Sequence, residues 1–289
     1  MTTPDAVLAD IDSFVVAGDS GFDKEAWMVS QIRDRVRNRN LNAICIWVGP
    51  TGSGKSYSAL RMAELVDPDF ALSRIVFRPL DFLDLINQDL PKASVILWDE
   101  MGLGMPAREW NSLFNKSIGY VLQSFRFRNL CLFMTVPDQG FIDSQARRLF
   151  HYFFDCRRID TKRDLVENWV YQYEYDSKSN KEYHKHPIVR LETGPAKMRF
   201  VPVSMPSARV RRDYESKRKS FMDSYYHELR ESIELTGDAT SVPMWAWRGI
   251  LALEEMTKTQ AEIAGYLGVG RQHVSRLLRQ AKAAVKPGR

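Results

Sequence analysis

One junction constrains this chain more than anything else in it. The run Asn42-Ala43-Ile44-Cys45-Ile46-Trp47-Val48 stops abruptly at Gly49-Pro50-Thr51-Gly52-Ser53-Gly54-Lys55-Ser56. Tyr57-Ser58-Ala59-Leu60-Arg61-Met62-Ala63-Glu64-Leu65 then follows with its apolar residues at helical spacing. A strand that feeds a helix through G-x-x-x-x-G-K-S is a phosphate-binding loop. Successive backbone N–H groups of such a loop point inward around a polyphosphate, and the positive end of the following helix adds to them. Glycines at 49, 52 and 54 allow the close backbone approach this needs. Lys55 is placed to reach the β- and γ-phosphates, and Ser56 to set its hydroxyl on Mg2+. Gly49, Pro50, Thr51, Gly52, Ser53, Gly54, Lys55, Ser56 and Tyr57 are therefore the expected ATP-binding segment. The bland alternative is a Gly-rich turn between a strand and a helix, with no ligand.

A second element complements the loop. Ala93-Ser94-Val95-Ile96-Leu97-Trp98 is an uninterrupted apolar strand pattern ending in Asp99-Glu100, and Asp99 lies 44 residues beyond Lys55. Apolar strands without alternation belong inside parallel sheets covered on both faces. Asp99 then emerges at the carboxyl end of its strand, where open α/β sheets bind ligands. Its carboxylate is expected to hold Mg2+ together with Ser56, and Glu100 to orient and deprotonate an attacking water. The plainer roles are a strand-end turn acid for Asp99 and a helix-capping acid for Glu100.

Composition sets the bounds. A length of 289 residues suggests about two domains, and 44% hydrophobic residues suffice for a real core. Net charge is +5, which permits an anionic partner without requiring one. No apolar run approaches the ~18–20 residues needed to cross a bilayer, so no stable membrane insertion is expected. The acidic N-terminus does not read as a secretory signal, and a cytoplasmic protein is expected. Cys45, Cys131 and Cys156 are unpatterned, and we read them as small buried hydrophobes with neither disulfide nor zinc.

The expected organisation is a tail over 1–22, an α/β ATPase domain over 23–205, a basic helical linker over 206–243 and a small all-α unit over 244–289. Helices are expected at 24–39, 54–66, 80–88, 109–127 and 141–150, and strands at 43–48, 73–77, 93–98, 129–136 and 151–156. From 165 the pattern changes to aromatic and β-branched residues. Two such runs flank the polar turn Asp176-Ser177-Lys178-Ser179-Asn180-Lys181, a hairpin signal, and a further strand fits 198–203. The hairpin elaboration thus occupies 165–203. Basic residues crowd the helical pattern over 209–235.

The last 35 residues or so carry a second signal. Ile263 and Leu267 repeat at helical spacing, Ala264 is small, and Leu267-Gly268-Val269 makes a turn. Val274, Leu277 and Leu278 form the apolar stripe of a second helix. Its other faces carry Arg271, Gln272, His273, Ser275, Arg276 and Arg279, residue types that meet phosphates and base edges in a major groove. The spacing resembles a helix-turn-helix, the DNA-reading unit of sigma-factor-like and phage-type regulators. A helical hairpin for protein contacts is the plainer option.

Segments 49–57, 96–100 and 129–143 together resemble the P-loop ATPases of the FtsK–HerA group, with the nearest likeness to its Zot-like members and related viral and plasmid ATPases. Gly54-Lys55-Ser56-Tyr57, Arg126-Phe127-Arg128-Asn129-Leu130, Thr135-Val136-Pro137, Ile142-Asp143 and Arg147 carry the likeness, which spans about 43–157. The resemblance implies a P-loop NTPase fold with a mostly parallel sheet covered by helices, and ATP and Mg2+ as cofactors. It implies that Thr135 senses the γ-phosphate. It also implies a homo-oligomeric ring, such as a hexamer, in which an arginine from a neighbour completes the site. Arg126, Arg128, Arg147 and Arg148 are the candidates for that arginine, with Arg128 and Arg147 carried forward, and Gln123 is a candidate for positioning water. Unlike Zot proteins proper, this sequence has no membrane-spanning run. The expected activity is an ATPase acting on DNA as a motor or processing factor of a viral or plasmid genome. The alternative is an ATP-dependent transcription regulator.

Overall fold

The structure is a computed structural model that describes residues 9–10, 22–101, 128–142, 144–176, 178–179, 181–236, 250–251, 254, 259–267 and 270–284. The expected loop at 101–108 (past Met101) and helix at 109–127, with Gln123 and Arg126, lie outside these residues, as does the turn at Gly268-Val269.

Among the described residues, the chain alternates strands and helices from β1 (Ala9–Asp10) and α1 (Lys24–Arg37) onward. β2 (Ala43–Val48), α2 (Lys55–Val66), β3 (Ile75–Val76), α3 (Pro79–Ile86), β4 (Val95–Trp98) and β5 (Cys131–Val136) follow. A short α4 (Ser144–Arg147) leads to β6 (Tyr152–Asp160), β7 (Leu165–Asp176) and β8 (Lys181–Lys185). Then come β9 (Ile188–Leu191), β10 (Gly194–Lys197), β11 (Phe200–Ser204) and α5 (Ala208–Thr236). The helices α6 (Gln260–Leu267) and α7 (Arg271–Ala284) close the series.

The main sheet runs in the order β11-β7-β6-β2-β5-β4-β3, with β8 also paired to β7. From β6 to β3 neighbouring strands are parallel, while β7 is antiparallel to β6, β8 and β11. The fold is thus mixed α/β with a mostly parallel central sheet, compatible with a P-loop NTPase-like fold. β2, β4 and β5 are buried at every position, the condition for strands covered on both faces.

Alternation along these strands divides the core in two. Ala43, Cys45, Trp47, Val95, Leu97, Cys131 and Phe133 pack with Met28, Ile32 and Val36 of α1, Leu60 and Met62 of α2, and Tyr214 of α5. Ile44, Ile46, Ile96, Trp98, Leu132 and Met134 face the other way, against Phe82, Leu85 and Ile86 of α3. α1 starts where Asp23 Oδ1 accepts the Ala26 N–H at 2.9 Å, a side-chain cap.

The structure differs from expectation in several places. The stretch 141–150 is not one helix: Gln139–Phe141 form a 3-10 turn and α4 is a single turn. Asp138 Oδ1 accepts the Gly140 N–H, an Asx-type turn that competes with helix. β6 runs on to Asp160 because its second half pairs with β7, Asp160 opposite Leu165. Of the run after the polar turn, β8 pairs with β7, whereas β9 joins β10 and β1 in a separate small sheet. Ala9–Asp10, within the expected tail, run parallel to Ala196–Lys197. Within the expected linker, α5 buries Val210, Tyr214, Met222, Tyr225 and Tyr226. Phe221 stacks on Phe77 at 4.6 Å between centroids.

In the C-terminal pair, Thr259 and Glu262 form a reciprocal cap at the start of α6: Glu262 accepts from the Thr259 N–H, and the Glu262 N–H donates to Thr259 Oγ1. Ile263 of α6 and Val274, Leu277, Leu278 and Ala281 of α7 are buried, and the two helices pack together. Cys45, Cys131 and Cys156 are free and buried. Among the described residues no helix is long and apolar enough to cross a membrane.

Candidate functional site

The loop between β2 and α2 is closed on itself. Lys55 Nζ donates to the carbonyl oxygens of Gly49 at 2.7 Å and Pro50 at 2.9 Å. Gly54 precedes α2 in the left-handed region, at φ 92°. A Cβ on Gly49 would lie 2.5 Å from the Cys156 carbonyl oxygen, and one on Gly54 would lie 2.8 Å from Val166 Cγ2. Glycine at these positions lets the loop lie against the β6–β7 pair. Behind the loop runs a buried polar chain: Trp47 Nε1 donates to Ser58 Oγ, and Ser58 Oγ donates to Asn168 Oδ1. Asn168 Nδ2 donates in turn to the carbonyls of Val166 and Val201. The strand, loop helix and antiparallel extension are thereby fixed to one another. A lone asparagine among alternating apolar residues was the sequence signal for this network, and sequence reasoning passed over it.

The acids stand at the end of β4. Trp98 pairs with Met134, so the next positions, Asp99 and Thr135, lie side by side on the same sheet face. Thr135 Oγ1 donates to Asp99 Oδ1 at 2.7 Å and accepts the Glu100 N–H at 2.8 Å. Asp99 and Thr135 are fully buried. Glu100 holds a positive φ of 50°, a conformation that costs a non-glycine residue energy and often marks functional sites. Asp99, Glu100 and Thr135 are thus adjacent at the strand ends.

Two further residues come from α5, and sequence reasoning missed both. The Tyr214 hydroxyl donates to Asp99 Oδ2 at 2.5 Å, and the Arg218 guanidinium donates to Glu100 Oε1 in an ion pair. Tyr214 and Arg218 are one helical turn apart, so one face of α5 meets both acids. The apolar spacing of Val210, Tyr214, Phe221, Met222 and Tyr225 within a basic stretch was the available signal that this helix has a buried face. Tyr57, at the start of α2, lies edge-on to Tyr214 at 6.4 Å and donates its hydroxyl to Glu215 at 2.9 Å.

Electrostatics reflect this packing. Burial, then the neighbouring Asp99 charge, pushes the Glu100 carboxyl up to about 7, while Arg218 and Lys55 pull it down. Burial, then Asp99, raises the Tyr214 phenol well above its ordinary range, so it is a neutral donor. Burial alone would lower Arg218, but Glu100, Tyr214 and Asp99 outweigh it and raise the guanidinium. Asp99 and the Ser56 hydroxyl are hard oxygen donors of the kind Mg2+ takes alongside phosphate oxygens. Each Asp99 oxygen accepts one O–H, from Thr135 and from Tyr214. Among the described residues there is no group of three or more His, Cys, Asp or Glu that could hold a metal alone.

Of the candidate arginines, Arg128, Arg147 and Arg148 make contacts within their own chain, and Arg126 lies outside the described residues. Arg128 Nη1 donates to the carbonyls of Ile86, the last residue of α3, and Gln88 just beyond it. Arg147 donates to the Ile142 carbonyl at 3.1 Å and pairs with Glu182 at 3.6 Å. Arg148 lies over the Tyr175 ring at 4.3 Å. On α7, Arg271, Gln272, Arg276 and Arg279 are exposed, while His273 and Ser275 are half-buried. Ser275 Oγ donates to Gln260 Oε1 at 2.7 Å, so Ser275 meets α6, and Arg276 lies 3.5 Å from His273 Nδ1 on its own helix. Gln272, Arg276, Arg279 and Gln280 line a shallow concavity on α7.

No protein-family model matches this chain, and no curated protein matches it in sequence. Among solved structures, the N-terminal domain of zonular occludens toxin from Neisseria meningitidis is similar at 17% identity with a TM-score of 0.31. That similarity covers 50% of this chain and 93% of the other.

Proposed function

We propose that this chain is a Mg2+-dependent ATPase that works on DNA. The observation that carries the nucleotide part is the convergence of the Lys55 loop, the hydrogen-bonded pair Asp99–Thr135 and Glu100 at the carboxyl ends of β2, β5 and β4. In this reading the loop amides and Lys55 bind the β- and γ-phosphates. Ser56 and Asp99 hold Mg2+, which when bound neutralises charge on the phosphate oxygens. Glu100 accepts a proton from water as the water oxygen bonds to the γ-phosphorus. The bond from that phosphorus to the bridging oxygen breaks, ADP leaves with the electron pair, and the proton passes to the released phosphate. Thr135 orients Asp99 and holds the Glu100 backbone.

The DNA part is supported by the exposed Arg271, Gln272, Arg276 and Arg279 on α7, opposite its buried stripe. A homo-oligomeric ring, a role in replication, packaging or mobilisation of a viral or plasmid genome, and residence in the cytoplasm belong to the same proposal. The regulator reading rests on the same face of α7 and differs in requiring a specific operator.

The test is phosphate release from ATP with and without Mg2+, random duplex, single strands and the chain's own genomic DNA, beside Lys55→Ala. Mg2+-dependent release that Lys55→Ala abolishes and random DNA accelerates supports an ATPase motor. Release that responds to one sequence alone supports the regulator. No nucleotide binding by the parent chain overturns both.

A further inference from the structure

Three polar atoms around the loop and the acids are buried without a hydrogen-bond partner among the described residues: Ser53 Oγ, Glu100 Oε2 and Arg218 Nε. Buried polar atoms are normally partnered, so these atoms keep hydrogen-bonding capacity for a group bound beside them. Two of the three belong to one ion pair. Glu100 and Arg218 meet through Oε1 and Nη2, leaving one orphan acceptor and one orphan donor on the same joined pair. A water attacking a terminal phosphate needs an acceptor for its O–H, and the phosphate oxygen needs a donor. The orphan atoms of Glu100 and Arg218 supply one of each.

We propose that Arg218 positions Glu100 and completes the hydrolytic site from within the same chain. This rests on the ATPase reading of the loop. Glu100 is held from two sides: its backbone N–H donates to Thr135 Oγ1 of β5, and its carboxylate accepts from Arg218 of α5. α5 itself is anchored beside that contact. Lys217 Nζ donates to the carbonyls of Leu72 at 2.7 Å and Ile75 at 2.6 Å, Tyr214 donates to Asp99, and Phe221 stacks on Phe77. A guanidinium suits the task because its planar fork can hold a carboxylate with one N–H and offer others to a phosphate. Arg128 and Arg147, by contrast, spend N–H groups on main-chain carbonyls of their own chain.

The experiment uses the full chain with Mg2+ and ATP. It compares the parent with Arg218→Ala, Arg218→Gln, Arg218→Lys and Lys55→Ala, reading kcat, KM and the affinity for a fluorescent ATP analogue. Arg218→Ala and Arg218→Gln should lower kcat by about 10²-fold or more while KM and analogue affinity hold within about threefold. Arg218→Lys should recover part of the loss, because it restores the charge without the fork. Mixing Arg218→Ala with Lys55→Ala protein should restore nothing, since a residue acting within its own chain cannot be lent by a neighbour. Parental turnover in Arg218→Ala, or recovery on mixing, overturns the proposal. So does a loss of kcat matched by loss of analogue binding in all three Arg218 variants, which marks a structural role. If the parent neither binds the analogue nor hydrolyses ATP, the ATPase reading falls and takes this proposal with it. If the parent hydrolyses in a Lys55-dependent way and the Arg218 variants do not differ, this proposal alone fails.

Discussion

Tyr214 and Asp99, 115 residues apart in sequence, share a buried hydrogen bond in which the phenol donates to Oδ2 of the carboxylate. Thr135 donates to the other oxygen, so a fully buried carboxylate is satisfied by one donor from the neighbouring strand and one from a distant helix. Tyr214→Phe removes one donor and leaves the rest of the packing in place. A buried charged acceptor deprived of a partner costs about 1–3 kcal/mol, so the variant should lose stability by that amount in urea denaturation. An unchanged midpoint would mean that the Tyr214 contact is not formed in solution.

Glu100→Gln keeps the shape of the side chain and an oxygen for Arg218 to donate to, but removes the proton acceptor. ATP binding should persist while turnover falls by about 10²–10⁴-fold. Rapid-quench measurement of a single turnover is the check. Hydrolysis at the parental rate would remove Glu100 from the role of base.

Gly49→Ala should damage the loop from beneath. The new Cβ would stand 2.5 Å from the backbone carbonyl of Cys156, and the φ of 150° already strains an alanine. Because the obstructing atom is backbone in β6, it cannot swing aside. A stability loss of about 1–3 kcal/mol should accompany loss of nucleotide binding, read by thermal unfolding with and without ATP. Full retention of the ATP-induced shift would show that the loop tolerates a displaced position 49.

His151 gives the fold an acid-sensitive element away from the acids. Its Nδ1 accepts the Ile44 N–H at 2.9 Å, and burial, then Arg35, drives its value from 6.5 down to about 3. The folded ring therefore stays neutral while the unfolded chain takes up a proton as pH falls through 6.5. Its contribution is complete above that pH and declines by up to about 1.4 kcal/mol per pH unit as pH drops towards 3. His151→Asn should flatten the dependence of the urea midpoint on pH between 6.5 and 5. Identical slopes in variant and parent would exclude this residue as the source.

The C-terminal pair is tested by deleting residues 244–289. Basal ATPase activity should survive, because the proposed ligands Lys55, Ser56, Asp99, Glu100 and Arg218 all precede the cut. Duplex binding and DNA stimulation should fall. Arg271→Ala or Arg276→Ala should cost about 1–3 kcal/mol in affinity if the residue reads a base, and should weaken all sequences alike if it meets a phosphate. A truncated chain that binds duplex as tightly as the whole would assign α6 and α7 to protein contacts.

The loop was legible in the sequence because its chemistry is local. Gly49, Gly54, Lys55 and Ser56 act through their own backbone and the helix that follows them, so spacing alone reveals them. Asp99 was nearly as accessible, since it closes an apolar strand, while Thr135 was reached only through the resemblance. The helix over 208–236 was legible as a helix, but not as part of the site. Its many basic residues gave it the character of a spacer, and the side chains that matter are a tyrosine and an arginine with no motif around them. Which acid they meet depends on how α5 crosses the edge of the sheet. Phe221 on Phe77 and Lys217 on the carbonyls of Leu72 and Ile75 fix that crossing, and no local pattern encodes it. By itself the sequence determined the loop, the strands and the acids they deliver, because each rests on near-neighbour geometry. Only the tertiary structure decided that Tyr214 and Arg218 close over those acids, because that contact depends on the packing of elements more than 100 residues apart.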